Sequence, residues 1–327
     1  MKLVVNTRGS FISKKGDCFV IAMGEAKQEI PSKKVEQLMI TSSVTLTTDA
    51  LKLALDTNID VVFLDNHGNP FGRVWTSKLG SITSIRRKQL YLCDNIEGLN
   101  IVQGLLKDKI GHQIKHLKKL STNRRDERKD LLLDSVGKLE GYLASILAIQ
   151  GVSINDARLS IQGFEGSASR VYFASLSDVL PPKYSFNGRS RQPALDEFNC
   201  LLNYGYGILY SSVEKACILA GLDPYIGIMH TDNYNKKSLT FDLVESYRGF
   251  IDELVVKLIT TKKVKDEQFD ITEGGYYLNK VGKQLIIGAY NDWLESTDKY
   301  RGKFMKMSYI IQHDCHELAN RLLDMEG

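Results

Sequence analysis

The clearest chemical potential in this chain lies in one histidine and two carboxylates within Tyr225 to Phe250, YIGIMHTDNYNKKSLTFDLVESYRGF. His230 closes a short apolar run and precedes a polar loop of turn formers and lysines. Beyond the loop the pattern becomes helical and carries Asp242 and Glu245 inside otherwise apolar sequence. A spacing of i, i+3 puts two side chains on one helix face, so both carboxylates are expected to point the same way. Carboxylates are expensive to bury unless paired, hydrogen-bonded or bound to a metal. A histidine beside them completes a set able to hold a divalent cation, and metal-assisted chemistry is what such a set offers.

Other segments offer further groups, each open to two readings. Glu165 stands in GFEGSASR, after a turn-rich segment and before the helical VYFASL. It either complements the dipole at the start of a helix or uses the small residues around it to face a closely approaching ligand. Lys115–Asp130 is dense in Lys and Arg but also carries acids, and reads as a solvated helix end or as a phosphate-contacting patch. The cluster Arg86-Arg87-Lys88 has the same two readings. Pro181–Arg191 interleaves Tyr184 and Phe186 with basic residues, as single-stranded nucleic-acid binders do and as plain surface loops also do. Asn199 and Asn203, one turn apart on a helical face, need partners if buried. His313 and His316 flank Cys315, but the carboxylate and spacing of a zincin motif are absent, and a structural or surface role is expected. His67 is expected to be a solvated turn residue.

The elements that would position these groups fall into two regions. Residues 1 to about 76 read as mostly β, with strands at Lys2–Thr7, Cys18–Met23, Val35–Ile40, Ser43–Leu46, Asp60–Leu64 and Phe71–Trp75 and a short helix at Thr48–Thr57. From about Ser84 the periodicity is helical: Arg86–Gln150, then Asp196–Ala220, Asp252–Thr261 and Lys283–Leu323. The expected class is α+β: a β-rich platform or dimerisation domain over 1–78, a linker over 79–85, and an all-α catalytic domain over 86–327. Gly205-x-Gly207 lacks the third glycine and preceding strand of a dinucleotide fingerprint.

With 327 residues, 43% hydrophobic and 25% charged, the chain has ample core for two domains. A net charge of +4 permits nucleic-acid binding without demanding it, so local patches matter more than the total. Five scattered cysteines without a CxxC pair argue against a zinc ribbon or disulfide framework. No apolar run approaches the roughly 18 residues that span a bilayer, and the N-terminus lacks a signal-peptide core. A soluble, cytoplasmic protein that does not engage membranes is expected.

In combination, FEGSASRVYF around Glu165, FNCLLNYGYGILY around Asn203, GIMH ending at His230 and LTFDLVESYR holding Asp242 and Glu245 resemble the CRISPR-associated adaptation integrase family, the universal spacer-acquisition nuclease. The resemblance runs nearly end to end. Roughly 65 residues separate the glutamate from the histidine, and 15 more lead to the last acid. A serine at Ser42 or Ser43 replaces the family's usual glycine after LMIT, a turn position away from the chemistry. The resemblance implies a site in which Glu165, His230 and Glu245 hold Mg²⁺ or Mn²⁺. It makes Asp242 an alternate ligand or an outer partner of the ligands, and gives Arg248 the role of orienting Glu245. Hard oxygen ligands favour those ions, and the imidazole tilts the choice toward Mn²⁺. The implied reactions are strand transfer of a 3′-hydroxyl from a short duplex onto a CRISPR repeat, and endonucleolytic cleavage in which water replaces that hydroxyl. Arg86, Arg87, Arg189, Arg191 and Arg248 then become expected DNA contacts. The resemblance also implies a homodimer that assembles with a small second CRISPR adaptation protein. Two other readings use the same residues or none of them: a metal-dependent DNase for branched or repair DNA, and a catalytically silent DNA-binding scaffold.

Overall fold

Apolar side chains on both faces of one small sheet join the two regions of the molecule. The computed structural model describes residues 2–57, 59–65, 68, 70–74, 83–122, 124–151, 153–230 and 236–325. The N-terminal strands are β1 (Lys2–Val5), β2 (Phe11–Lys15), β3 (Cys18–Met23), β4 (Ala26–Pro31), β5 (Gln37–Ile40) and β6 (Thr45–Leu46), followed by helix α1 (Thr48–Asp56) and strands β7 (Asp60–Leu64) and β8 (Pro70–Val74). They form two four-stranded sheets in the orders β4-β3-β2-β6 and β1-β5-β7-β8.

Strands β5 and β7 pair in parallel and are apolar after their first residues, Gln37 and Asp60, which satisfy each other by a hydrogen bond of 2.5 Å, as strands buried on both faces require. Leu38, Ile40 and Val61 point into the N-terminal core with Ile12, Phe19 and Leu53. Their alternate neighbours Met39, Val62 and Leu64 belong instead to the core of the helical region. Strand β4 is absent from the sequence expectation for a physical reason. As an edge strand it buries only Ile30, so AKQEI carries no apolar alternation.

Beyond residue 82 the chain builds α2 (Thr83–Leu90), α3 (Ile96–Thr122), α4 (Glu127–Leu147), α5 (Ile154–Val179), α6 (Glu197–Leu219), α7 (Ser238–Leu243) and α8 (Glu245–Thr260). Then come the hairpin β9 (Phe269–Thr272) and β10 (Gly275–Leu278), helix α9 (Lys280–Glu295), the hairpin β11 (Thr297–Tyr300) and β12 (Lys303–Lys306), and helix α10 (Met307–Asp324). The class is α+β as expected, but the two hairpins correct the all-α description of this region and the single helix anticipated over 283–323. The tip of β11–β12 turns through Arg301 and Gly302, both at positive φ. Such a tight reversal accepts Arg-Gly, although Asn-Gly or Asp-Gly is the signal sequence usually gives.

Helix α5 supplies a second correction. It starts at Ser153, whose hydroxyl accepts from the Asp156 amide at 3.3 Å, and runs 26 residues. Glu165 therefore sits mid-helix and not at a helix start, so a dipole role does not apply. The space beside Gly163 and Gly166 is open, so close packing does not require a glycine at either position. Helix α6 is buried nearly all round, from Phe198 to Cys217, and forms the axis of the region.

The two regions are tied by charge as well as packing. Arg73 on β8 donates to the Ser211 carbonyl at 2.6 Å and its hydroxyl at 2.9 Å, and pairs with Asp60 and Glu214 at 3.0 and 3.3 Å. The expected linker begins outside the described residues, and its last three positions are already helical in α2. His67 lies outside the described residues too. No helix among the described residues is long and apolar enough to cross a membrane.

Candidate metal centre and nucleic-acid cleft

Glu165, His230 and Glu245 come from α5, the segment before α7 and the start of α8, and all three line one cleft of about 1570 Å³. Helix α3 adds Lys109, which is only 5% exposed on a face otherwise made of Leu106, Ile110 and Gln113. Its ammonium bridges the two glutamates: it donates to Glu165 Oε1 and lies 2.7 Å from Glu245 Oε2. Glu165 Oε1 also accepts from the Ser169 hydroxyl at 2.8 Å.

The other oxygen of Glu245 meets Arg248 Nη1 at 2.8 Å. Arg248 is itself fixed by a hydrogen bond from Nη2 to the Tyr210 hydroxyl at 2.6 Å and by the faces of Tyr206 and Tyr210. Burial alone would raise the Glu245 carboxyl, but Arg248, Lys109 and His230 outweigh it and hold it at about 2. Both neighbouring cations stay charged. Burial opposes the Arg248 and Lys109 charges, and the adjacent carboxylates overcome it.

Asp242 plays a different part from Glu245. The two residues flank the junction of α7 and α8 at Val244, and their carboxylates have separate partners. Asp242 is 2% exposed and accepts from the backbone amides of Ile228, Met229 and His230 at 2.6, 3.2 and 3.0 Å. It also holds His230 Nδ1 at 2.6 Å. Of the two parts expected of Asp242, alternate ligand or outer partner of the ligands, this geometry is that of the outer partner, because Asp242 folds the GIMH segment and fixes its imidazole. With Nδ1 engaged, His230 keeps Nε2 for a ligand. Gly227 permits this turn: a Cβ there would lie 2.5 Å from both the His230 carbonyl oxygen and Ser238 Cβ.

The basic residues separate into wall and interior. Arg170, Arg191, Lys236 and Lys237 line the cleft. Arg189 lines it as well, but its guanidinium is turned inward, donating to Asn199 Oδ1 and, at 2.8 Å, to Asn203 Oδ1. Those asparagines also donate to the Gly188, Ser190 and Arg191 carbonyls at 3.0, 3.0 and 2.7 Å. The two amides thus find their partners by folding the 181–191 loop over α6. Arg248 is equally occupied inside. Arg86 and Arg87 are exposed on α2 and do not line the cleft, and Arg86 lies 3.8 Å from Asp223. Lys109, Arg170 and Asp252, which accepts from the buried Tyr206 hydroxyl, were not singled out from sequence. The signal for Lys109 is a lone lysine on the apolar face of α3.

These groups suit a divalent cation. Two carboxylates and a free imidazole nitrogen are hard or intermediate donors, and described thiols do not line the cleft. Glu245 Oε2 and Glu165 Oε1 already face a single positive charge, the Lys109 ammonium, from two helices.

A two-sheet β region is followed by a helical region whose cleft is lined by Glu, His and Glu, and comparison with known proteins gives this architecture a family. The model of the CRISPR associated protein Cas1 family matches residues 3–292. The CRISPR-associated endonuclease Cas1 1 of Archaeoglobus fulgidus is 31% identical over 322 residues, covering 95% of this chain and 93% of its own. The chain belongs to the Cas1 family. Among solved structures, a casposase bound to integration product superposes with a TM-score of 0.84 at 24% identity, over 100% of this chain and 92% of its own. A chain of a Cas6-RT-Cas1–Cas2 complex matches with a TM-score of 0.81 at 22% identity, over 99% of this chain and 35% of its own.

Proposed function

We propose that this chain is a spacer-acquisition integrase, a metal-dependent DNA endonuclease and strand transferase that joins the 3′-hydroxyl ends of short duplex DNA to a CRISPR repeat in antiviral defence. The observation that carries the reading is that Glu165, His230 and Glu245 line one cleft within a Cas1 framework.

Glu165, His230 and Glu245 would hold Mg²⁺ or Mn²⁺. The bound ion would polarise the scissile phosphate and steady the charge that develops on it. The chain's own groups do the rest. Asp242 keeps His230 in the tautomer that offers Nε2, and Arg248 fixes the orientation of Glu245. Arg170, Arg191, Lys236 and Lys237 supply positive charge along the cleft for the sugar-phosphate backbone, contacts that position DNA without reading its sequence. Arg86 and Arg87 are assigned to DNA outside the cleft. Arg189 and Arg248 act on DNA indirectly, by shaping the cleft wall. A covalent enzyme intermediate is not required, because a 3′-hydroxyl or water attacks directly.

The organisation follows from the same reading. Residues 1–78 form the dimerisation platform, 79–85 the connection and 86–327 the catalytic domain. The working form is a cytoplasmic homodimer joined to a small second adaptation protein. Support comes from Cas1 membership and from the fold match to a chain in a complex whose name includes Cas2.

The test is a choice of substrate. A labelled short duplex is offered, with the partner protein and Mn²⁺ or EDTA, alongside a supercoiled plasmid bearing a CRISPR repeat and a branched DNA of unrelated sequence. Metal-dependent joining at the repeat is the expected result. Cutting of the branched DNA without joining would replace the proposal with a repair nuclease, and binding with neither reaction would leave a scaffold.

A further inference from the structure

We infer that Lys109 is a displaceable internal counter-ion: its ammonium holds the place of the divalent cation between Glu165 and Glu245 and must leave that place for the ion to bind. The inference rests on the metal-site reading above and assigns to it a residue that competes with the metal and does not help to ligate it.

The argument begins with the oddity of the residue. A lysine almost never becomes fully buried unless paired, and taking its ammonium out of water costs several kcal/mol by itself. Here the chain places one among Leu106, Ile110 and Gln113, where an apolar residue would pack without that cost. What the charge offsets is the meeting of two glutamates. The ammonium lies between Glu165 Oε1 and Glu245 Oε2, in contact with both, and separates their charges.

What makes it displaceable is the contrast with Arg248. That guanidinium is pinned by the Tyr210 hydroxyl and two aromatic faces and has nowhere to go. Lys109 sits on a flexible four-carbon stem and borders the open cleft. One cation is a fixture of the site, and the other is a tenant.

The experiment measures Mn²⁺ binding by calorimetry to the metal-stripped full chain, for wild type, Lys109→Met, Lys109→Gln and Glu165→Gln. Circular dichroism checks that each is folded. Removing the competing charge should tighten Mn²⁺ binding in the Lys109 variants by about tenfold or more, while their metal-free thermal midpoints fall because the carboxylates lose their counter-ion. A residue with only a packing role would weaken both. Unchanged or weaker Mn²⁺ binding in the Lys109 variants, with wild-type binding lost in Glu165→Gln, would overturn the inference and leave the metal site standing. Absence of Glu165-dependent Mn²⁺ binding in wild type would overturn both. Should neither variant fold, amine acylation of the wild-type chain decides. Lys109 should be protected without metal and become more reactive on adding Mn²⁺, and unchanged labelling would contradict its displacement.

Discussion

Two clusters of histidine and carboxylate occur in this molecule, and the more compact one is not the one that lines the cleft. On helix α10, His313, Asp314 and Glu317 bring ligand atoms within 4.8 Å of one another, the only group among the described residues to do so. Around the cleft, Glu165, His230 and Glu245 do not gather so tightly, and Lys109 stands between the two glutamates. Compactness by itself misleads. The α10 cluster comes from one helix turn, half exposed, and its acids are already served. Asp314 accepts from the Tyr247 and Tyr300 hydroxyls, and Glu317 pairs with Arg301 on the β11–β12 tip. The cleft cluster draws on α3, α5, α8 and the segment before α7, and each ligand candidate has an interior group that aims it. A site is recognised by what holds its residues in place, more than by how near they lie.

The comparison can be broken most directly at the ligands. Glu165→Ala or His230→Ala should lower joining and cleavage by at least about a thousandfold, with folding intact by circular dichroism. A folded variant that integrates at the wild-type rate would remove that residue from the site. Next in size is Asp242→Asn. It should cost about 10- to 100-fold in metal affinity or activity, as loss of a histidine-orienting carboxylate does. Mn²⁺ titration separates this from simple unfolding.

Gly227→Ala tests the scaffold without touching a charged group. The added methyl would crowd the His230 carbonyl and Ser238, so a stability loss of about 1–3 kcal/mol and slower joining are expected, read by denaturant unfolding and the integration assay. At the small end, His313→Gln combined with Glu317→Gln should change joining by less than about twofold and stability by about 0.5 kcal/mol or less, as surface substitutions do. A large loss of metal-dependent activity in that double variant would reverse the ranking of the clusters.

Acid distinguishes the clusters by sign. The Glu245 carboxyl is held at about 2 in the folded chain against 4.5 for the free group. Its contribution to stability is therefore present above pH 4.5 and lost as the pH falls toward 2. Asp314 is shifted the other way, raised from 3.8 chiefly by burial. Its charged form costs stability at neutral pH, and that cost is relieved as acid protonates it. In EDTA, thermal midpoints between pH 7 and 3 should accordingly lose part of their acid decline in Glu245→Gln and show a steeper decline in Asp314→Asn. Matching slopes in the two variants would contradict the assignment.

Much of this was legible in the chain because it depends on local pattern. The apolar runs at Cys18–Met23 and Asp60–Leu64 announce their strands, and the amides of buried Asn199 and half-buried Asn203 announce a need for partners that the 181–191 loop meets. His230 and Glu245 stand out within their own segment, whereas Glu165 joins them only through the family resemblance of the segment around it. What could not be read is where one element meets another. The spacing of Asp242 and Glu245 indicates a shared face, yet their roles diverge because the GIMH backbone happens to pack against only one of them. Arg189 reads as a free cation in a basic loop and is turned inward by two residues farther along the chain. Lys109 looks like any helix lysine until α5 and α8 bring their glutamates to it. The β11–β12 hairpin escaped because its strands are nearly all exposed and carry no apolar period.

The most direct test of the central claim is a side-by-side integration assay. Wild type, Glu165→Ala and the His313→Gln/Glu317→Gln double variant are each given a labelled short duplex, a repeat-bearing supercoiled plasmid, the partner protein and Mn²⁺. Joining retained in the double variant and lost in Glu165→Ala is the predicted result. Joining that survives in Glu165→Ala and disappears with the α10 cluster would contradict the account.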